Sequence, residues 1–487
     1  MEAIVVDVGS GRIRVGYAGQ EKPSFSFPSI LTLDSSDRLG LPPQPRKLAT
    51  GFERRILRED PSIVDFFHPV TKGVVRDWDG LDKLLVYGFS ELMCGSYARD
   101  QQQKELIALT EDKNTEGSET EKDAQKDQTE GAEGEKQKEP ESEEGQTKMA
   151  DDPEATLSPS GSTLEKGESS LSEKEDQNEI VTIQDVQDVD VELAYLDAVE
   201  NQQRKMLFTE SIANPRNNRE YLAQLIFEGN FPCNAMAILP QPLLALYGSG
   251  RSTGIVVDSG EGQTSIVPFN DGNIIPEGIM HLPFSGSDLS QYLDKLISES
   301  PTATLTTEPI AEKHPLKDSV LHDLKRKHTY VAIDYKDAVT RKKYTTQQYN
   351  LANKLGTINL GLERIQCPEA LFQPHELLGI DSLGIHDAII QSINMCDQDR
   401  RKILFDNVIL AGGNTMFTGF PERLRKELNI ATPPVYEANI IATPERHFLT
   451  WYGGSILGSG AAFDTCYISK SDYDEFGPSI ANKNKLV

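Results

Sequence analysis

Three short apolar runs along the chain each break off into a turn that carries glycine. Ile4-Val5-Val6-Asp7-Val8 leads into Gly9-Ser10-Gly11, and Gly254-Ile255-Val256-Val257-Asp258 leads into Ser259-Gly260-Glu261-Gly262. Val408-Ile409-Leu410-Ala411 leads into Gly412-Gly413. Runs of this length with no polar alternation predict strands buried on both faces. The glycines predict turns that only a permissive backbone can make. In the first two, an aspartate sits at the end of the strand. Such a turn points backbone N–H groups at a phosphate, and an aspartate at its rim can hold a hydrated Mg²⁺. Two such units about 250 residues apart predict two similar lobes closing on one nucleotide. The third predicts a strand, a Gly-Gly turn that lets backbone approach a base or ribose, and a helix over Pro421–Leu428. That third pattern also fits an ordinary strand-to-helix turn.

Elsewhere the pattern predicts mixed α/β structure over residues 1–98, with a helix near 80–95. Then it stops. Between Tyr97 and Tyr195 the chain has no aromatic residue, and Glu111 to Gln177 holds 22 acidic residues and 8 lysines, a net of −14. Such a stretch cannot bury enough apolar surface to offset its ordering entropy, so it is expected to be disordered. At its far end Ile180-Val181-Thr182-Ile183 is β-branched, with Asp185, Asp188 and Asp190 following among valines. It fits a strand docking the insert onto its own domain, or one pairing with a partner's sheet edge. Val191 to Met206 is expected to be helical, with Leu193, Leu196 and Val199 on one face. Met206-Leu207-Phe208-Thr209-Glu210 then resumes as a strand, which makes the insert a loop excursion.

With 487 residues the chain can form two core-bearing lobes. Its net charge of −27 argues against general binding to nucleic-acid backbones, while permitting basic partners such as histones. No apolar run approaches the roughly 18 residues of a membrane span. Met1-Glu2-Ala3-Ile4 goes straight into a strand and is expected to carry no secretory signal. Cys94, Cys233, Cys367, Cys396 and Cys466 form no CxxC pair, which fits reduced, mostly buried thiols. Lys325-Arg326-Lys327 and Arg341-Lys342-Lys343 are short basic clusters, expected as solvated charged faces rather than import signals.

Taken together, the three turn segments resemble the two phosphate motifs and the adenosine motif of the actin superfamily. The resemblance continues through Phe27-Pro28-Ser29-Ile30, Gly73-Val74-Val75-Arg76-Asp77-Trp78-Asp79 and Asn214 to Glu220. Leu246 to Gly254, Tyr330 to Asp334, Cys367 to Pro374 and Trp451 to Ile480 extend it over most of the chain. It implies an α/β, actin-like two-lobe ATPase fold. Each lobe is a mixed sheet flanked by helices, and a nucleotide cleft lies between them. The implied organisation is residues 1–98 as the first part of the N-terminal lobe and 99–192 as the acidic insertion. Residues 193–250 complete that lobe, 251–446 form the C-terminal lobe, and 447–487 return to the first.

The resemblance also implies a site for ATP or ADP with Mg²⁺. Gly9, Ser10 and Gly11 match the first phosphate turn, and Arg14 takes the place of a phosphate-binding lysine, a planar fork in place of a point charge. Gly260 and Gly262 match the second turn, and Glu261 stands where a ribose-binding aspartate is expected. Asp7 and Asp258 would hold the metal through water, and Gln241 matches the glutamine that positions the attacking water. Lys325, Gly412, Gly413 and Phe417 match the base side, Phe417 in place of a tyrosine. Arg326 replaces a ribose-bonding glutamate, and donor-only chemistry cannot remake an acceptor's bond. His447 replaces a lysine. Ser265 stands in place of a histidine that orders water, so slow hydrolysis or none is expected, since displacement of the water by about 1 Å can cost on the order of 100-fold.

Leu33 to Pro45, with three prolines and scattered charge, replaces the loop by which one actin subunit enters the next. Residues 372–384 carry one extra residue relative to actin. These features and the acidic insert disfavour a homopolymer. The expected role is a structural or regulatory subunit of a nuclear chromatin-remodelling or histone-modifying complex. Its expected partners are a helical segment of a remodelling ATPase, other actin-related proteins and histones. No sequence-specific nucleic-acid binding and no membrane partner are expected. The alternatives are a cytoskeletal actin-like protein, as filament component or end subunit with weak ATPase, and a sugar-kinase or heat-shock-type ATPase.

Overall fold

A computed structural model of the chain describes residues 2–34, 64–93, 195–196, 199–300, 316–350 and 357–483. The chain divides into two units, Met1–Ala98 with Ile180–Val487, and Arg99–Glu179, and every described residue belongs to the first. The expectations for residues 35–45, for Glu111 to Gln177, for Ile180 to Ile183 and for Cys94 fall outside the described residues.

The first lobe is built on the strand Ile4–Val8, buried at all five positions as its apolar run requires. It pairs antiparallel with Arg12–Tyr17 and parallel with Arg204–Glu210. Phe25–Pro28 extends the sheet on one side, and Cys233–Pro240 then Ile468–Ser469 on the other. The second lobe repeats the plan. Gly254–Ser259 pairs antiparallel with Thr264–Asn270 and parallel with Val408–Ala411. Ile440–Ile441 and Asn273–Ile274 complete the ends of the path, and Met280–Leu282 also pairs with Thr264–Asn270. Both sheets are mixed. In each, the acidic residue sits at the same place on the central strand. Asp7 faces Arg14 across its antiparallel pair, and Asp258 faces Ser265 across the other.

Helices cover the sheets by their apolar stripes. Residues 78–93 bury Leu81, Leu84, Leu85, Phe89 and Leu92 on the first lobe, a helical spacing. Arg216–Glu228 buries Leu222, Ala223, Ile226 and Phe227. In the second lobe Gly286–Glu299 starts at a capping box between Ser285 and Asp288. The helix expected at Pro421–Leu428 runs from Phe420 to Ala431. The expected helix from Val191 to Met206 is corrected: it is helical at 195–196 and 199–201, and Arg204–Glu210 is strand. Sheet pairing takes the segment, because Met206 aligns with Ile4 on the first-lobe sheet.

Two helices are shared between the lobes. On Gln241–Gly248, Leu244 packs with Val5, Leu207 and Ala237 of the first sheet, while Leu243 and Leu246 pack with Val256 and Val267 of the second. Leu449–Ser459 lies against it so closely that a side chain at Gly453 would run into the Leu244 carbonyl. This second helix also returns the chain to the first lobe, where Trp451 is wholly buried and donates from Nε1 to the Val5 carbonyl at 3.1 Å. Cys233, Cys367 and Cys396 are buried free thiols, and Cys466 is a half-buried one. Arg341 and Lys343 both pair with Asp337 at the surface, as a solvated basic face should. In the other cluster Arg326 and Lys327 are exposed, but Lys325 is buried, so that part of the expectation is corrected.

Candidate functional site

Both glycine turns lie at the carboxyl ends of the central strands, where open α/β sheets place ligands. In the first, the Gly9 amide donates to the Arg12 carbonyl at 3.1 Å. A Cβ on Gly9 would stand 2.8 Å from that same oxygen, so the turn tolerates no side chain there. Ser10 Oγ accepts from the amide of Gly73 at 2.8 Å. Asp7 is buried and both its oxygens are engaged. Arg14 donates to Oδ2 at 2.7 Å, Thr209 Oγ1 to Oδ1 at 2.7 Å, and Gln241 Nε2 to Oδ1 at 3.2 Å. The Gln241 amide nitrogen also approaches the Val8 carbonyl and Thr209 Oγ1, each at 3.4 Å.

The second turn differs in one respect. Gly260 N donates to the Gln263 carbonyl at 2.9 Å, closing an equivalent loop. Yet Asp258 has no counterpart of Arg14. It makes no hydrogen bond or ion pair with a described residue, and the residue facing it, Ser265, is wholly buried with a hydroxyl that has no partner. Burial, reinforced by the nearby Asp7 carboxylate and opposed by Arg14, pushes the Asp258 carboxyl up to about 6. The third turn approaches from the same side. Gly412 has φ +86°, its amide donates to the Arg446 carbonyl at 3.1 Å, and a Cβ there would come 2.6 Å from Asp258 Oδ1. Gly413, beside it, faces open space.

The two phosphate-type turns meet. A Cβ on Gly11 would lie 2.9 Å from Glu261 Cβ, and one on Gly262 would strike Ser10 Oγ. The base-side residues are less free than their sequence positions suggest. Lys325 is 4 % exposed and its Nζ donates to Glu261 Oε2 at 2.8 Å, Gly286 O at 2.7 Å and Ser290 Oγ at 2.8 Å, which uses all three ammonium protons. Phe417 is buried in the second-lobe core. His447 keeps part of its surface in solvent and meets the Phe448 ring edge-on at 4.7 Å. Loss of surrounding water, then the positive charges of Arg14, Arg326, Arg12 and Arg446, hold its ring down to about 4, so it is neutral near pH 7.

These residues fit a hydrated divalent cation carried on a nucleotide. Asp7 and Asp258 would hold it through water, and the orphaned Ser265 hydroxyl supplies a polar atom for that water. Among the described residues no group of three or more His, Cys, Asp or Glu gathers to cage an ion without help. Bound there, the cation would neutralise phosphate charge and relieve the two carboxylates. The open faces at Gly260 and Gly413 leave room where backbone must approach a ligand closely.

Sequence reasoning missed three participants. Thr209 ties the Asp7 carboxylate to the Val8 amide, whose hydrogen bond it accepts at 3.2 Å. Gln263 accepts from Ser211 Oγ at 2.7 Å and packs on Gly73, joining the second turn to the loop that holds Ser10. Arg446 clamps the third turn by donating to the Thr415 carbonyl at 2.9 Å. Only Thr209, a polar residue ending an apolar strand, left a local signal.

No helix among the described residues is long and apolar enough to cross a membrane. A model of the family described as Actin matches residues 1–485. With that match over nearly the whole length, and with two mixed sheets flanked by helices and facing glycine turns, the chain belongs to the actin family.

Proposed function

We infer that this is a divergent, non-polymerising actin-related protein that binds ATP or ADP with Mg²⁺. In this reading it serves as a structural or regulatory subunit of a nuclear chromatin-remodelling or histone-modifying complex. The observation that carries it is the asymmetry between the two turns. The binding parts are kept, with both glycine turns facing each other and two carboxylates at their rim. The parts that would drive hydrolysis are altered or restrained. Ser265 offers only a short hydroxyl where a water-ordering histidine is expected, and the retained Gln241 has its amide nitrogen held by the Asp7 carboxylate, which also draws in Arg14. A cleft of this kind suits a nucleotide held as a structural brace better than one turned over. Binding without turnover suits a subunit whose work is to hold partners. The −14 charge of Glu111 to Gln177 suits basic partners such as histone tails, alongside a helix of a larger ATPase and other actin-related proteins.

Affinity purification of the tagged full chain at native levels, with co-purifying proteins identified by mass, tests the assignment. Recovery with a remodelling ATPase and nuclear actin relatives is expected. Recovery with tubulin- or actin-associated factors, or a pelleting filament under polymerising salt, would replace it with the cytoskeletal reading. That second reading draws on Leu362 to Phe420 and Trp451 to Ile480, the segments most like conventional actin.

A further inference from the structure

We propose that a cavity of about 430 Å³ in the second lobe, walled by Tyr335, Phe372, Asp387, Arg423 and Glu427, takes an arginine or lysine side chain presented by a protein partner. None of the glycine-turn residues lines it, and the inference rests neither on the nucleotide nor on the nuclear assignment. Tyr335 opens the helix Tyr335–Thr340, and Asp387 lies in the first turn of Ile385–Met395. Arg423 and Glu427 stand one turn apart on Phe420–Ala431. The Arg423 guanidinium lies over the Phe372 ring, 4.9 Å from its centroid, and both residues are buried. Two carboxylates share that guanidinium. Glu369, wholly buried, accepts from the two terminal nitrogens at 3.0 and 2.9 Å, and Glu427 Oε1 accepts from Nε at 2.7 Å. A further bond runs to the Ala332 carbonyl at 2.7 Å.

Arg423 is thus matched twice over and leaves the cavity no positive charge to spare. Lys426 is engaged too, by the Ile333 carbonyl at 2.9 Å and by Asp334 Oδ2 at 3.5 Å. Acceptors are left over. Glu427 Oε2 and Asp387 Oδ1 have no hydrogen-bond or ion-pair partner among the described residues. Asp387 Oδ2 lies 3.5 Å from His386 Nε2. Burial holds that ring below its usual 6.5, with Asp387 and Glu427 opposing and Arg423 assisting, so it offers Asp387 no charge near pH 7. Burial, then Tyr292, Glu369 and Glu376, pushes the Tyr335 phenol up to about 12, and the field of those two carboxylates equally favours a cation. Lys336 stands at the wall exposed, its ammonium unpaired among the described residues, on a long stem that can turn to water. Spare carboxylate oxygens between aromatic walls suit a side chain with an apolar stem and a cationic tip. Ile333, 46 % exposed and next to the lining residue Asp334, gives a neighbouring residue of the partner an apolar rest, which favours a peptide segment over a free amine.

Fluorescence anisotropy of the full chain with labelled, capped pentapeptides tests the proposal, the central residue being arginine, lysine or uncharged citrulline. The arginine or the lysine peptide is expected to bind about tenfold more tightly than the citrulline peptide, the gain of one charge-assisted contact. The acidic stretch Glu111 to Gln177 also attracts basic peptides, so the variants carry the assignment. Asp387→Asn combined with Glu427→Gln is expected to bring the ratio to near one, and Lys336→Ala to raise it. Glu437→Gln, at an exposed carboxylate outside the cavity, is expected to leave it in place. Glu427→Gln also loosens a bond to Arg423, so the double variant is read only where its thermal melt matches the parent. Should it melt lower, Asp387→Asn alone is read in its place, because that carboxylate meets only a neutral ring. Equal binding of the three peptides, or a ratio that the variant read leaves unchanged, overturns the proposal. A chain that binds no nucleotide but keeps the Asp387-dependent ratio sinks the nucleotide reading and leaves this site standing.

Discussion

Lys325 Nζ lies 2.8 Å from Glu261 Oε2, so a lysine and a glutamate 64 positions apart in the second lobe are locked together beside the second glycine turn. The lysine is buried and the glutamate partly exposed. The pair fixes where the second turn's side chain points before any ligand arrives. Replacing Lys325 with Met removes the donor to Glu261, Gly286 O and Ser290 Oγ together. A loss of about 3 kcal/mol is expected in urea unfolding, the low end for breaking a buried pair. Adding Glu261→Gln should restore part of it, because the stranded carboxylate is then neutral.

Asp258 makes the opposite case, a carboxylate without a cation. Its pKa is raised to about 6 from an ordinary value of 3.8. Stability from this group is therefore full below the ordinary value and lost as pH rises through about 6. At pH 7.5 without divalent cations, Asp258→Asn is expected to stabilise the protein by up to roughly 3 kcal/mol. The same variant should lose most of the melting-temperature increase that Mg²⁺ with ADP gives the parent. A variant that melts lower in the absence of metal would contradict the electrostatic account.

Gly412 and Gly413 are neighbours with opposite demands. Gly412 combines φ +86° with a Cβ position that collides with the Ser259 carbonyl, whereas Gly413 opens onto empty space. Gly412→Ala should cost on the order of 3 kcal/mol, from left-handed strain and displaced backbone together. Gly413→Ala should leave stability nearly unchanged and weaken nucleotide binding instead. Paired thermal melts and titrations of the two variants check both halves.

His386 supplies a pH dependence of its own, beside Phe372 and Arg423. Its ring packs 5.7 Å from Phe372, with Nδ1 buried and unpartnered. Burial lowers its pKa below 6.5, assisted by Arg423 and opposed by Asp387 and Glu427. The stability it permits is present above 6.5 and is lost as pH falls. In an Asp258→Asn background, which removes the opposing titration near 6, chemical denaturation from pH 7.5 to 5.5 should show a falling midpoint, and adding His386→Gln should flatten that slope.

The central strands were legible because burial on both faces leaves an uninterrupted apolar run, and because glycine marks the turn that follows. Ile4–Val8, Gly254–Ser259 and Val408–Ala411 all follow that rule. What a run cannot display is a partner far along the chain. The Thr209 hydroxyl reaches the Val8 amide across 201 positions, and Lys325 reaches Glu261 across 64. Within Lys325-Arg326-Lys327 the three cations look alike in sequence, yet helix rotation buries the first and exposes the other two. The helix written into Val191–Met206 ended early for a related reason. Local periodicity was outweighed by a sheet position beside Ile4.

The Trp451 indole, bonded to Val5 across 446 positions, also bears on how the chain is made. Ribosomes add roughly 5–20 residues each second, so the strand that begins the first lobe waits on the order of half a minute or more for the ring that seals it. Until then the Val5 face of that sheet has only the helix carrying Leu244 as cover from that side of its own chain. Emergence order thus leaves a strand made some 446 positions before its indole partner among the last parts to be finished, and chaperone occupancy of the nascent first sheet is the natural bridge across that interval.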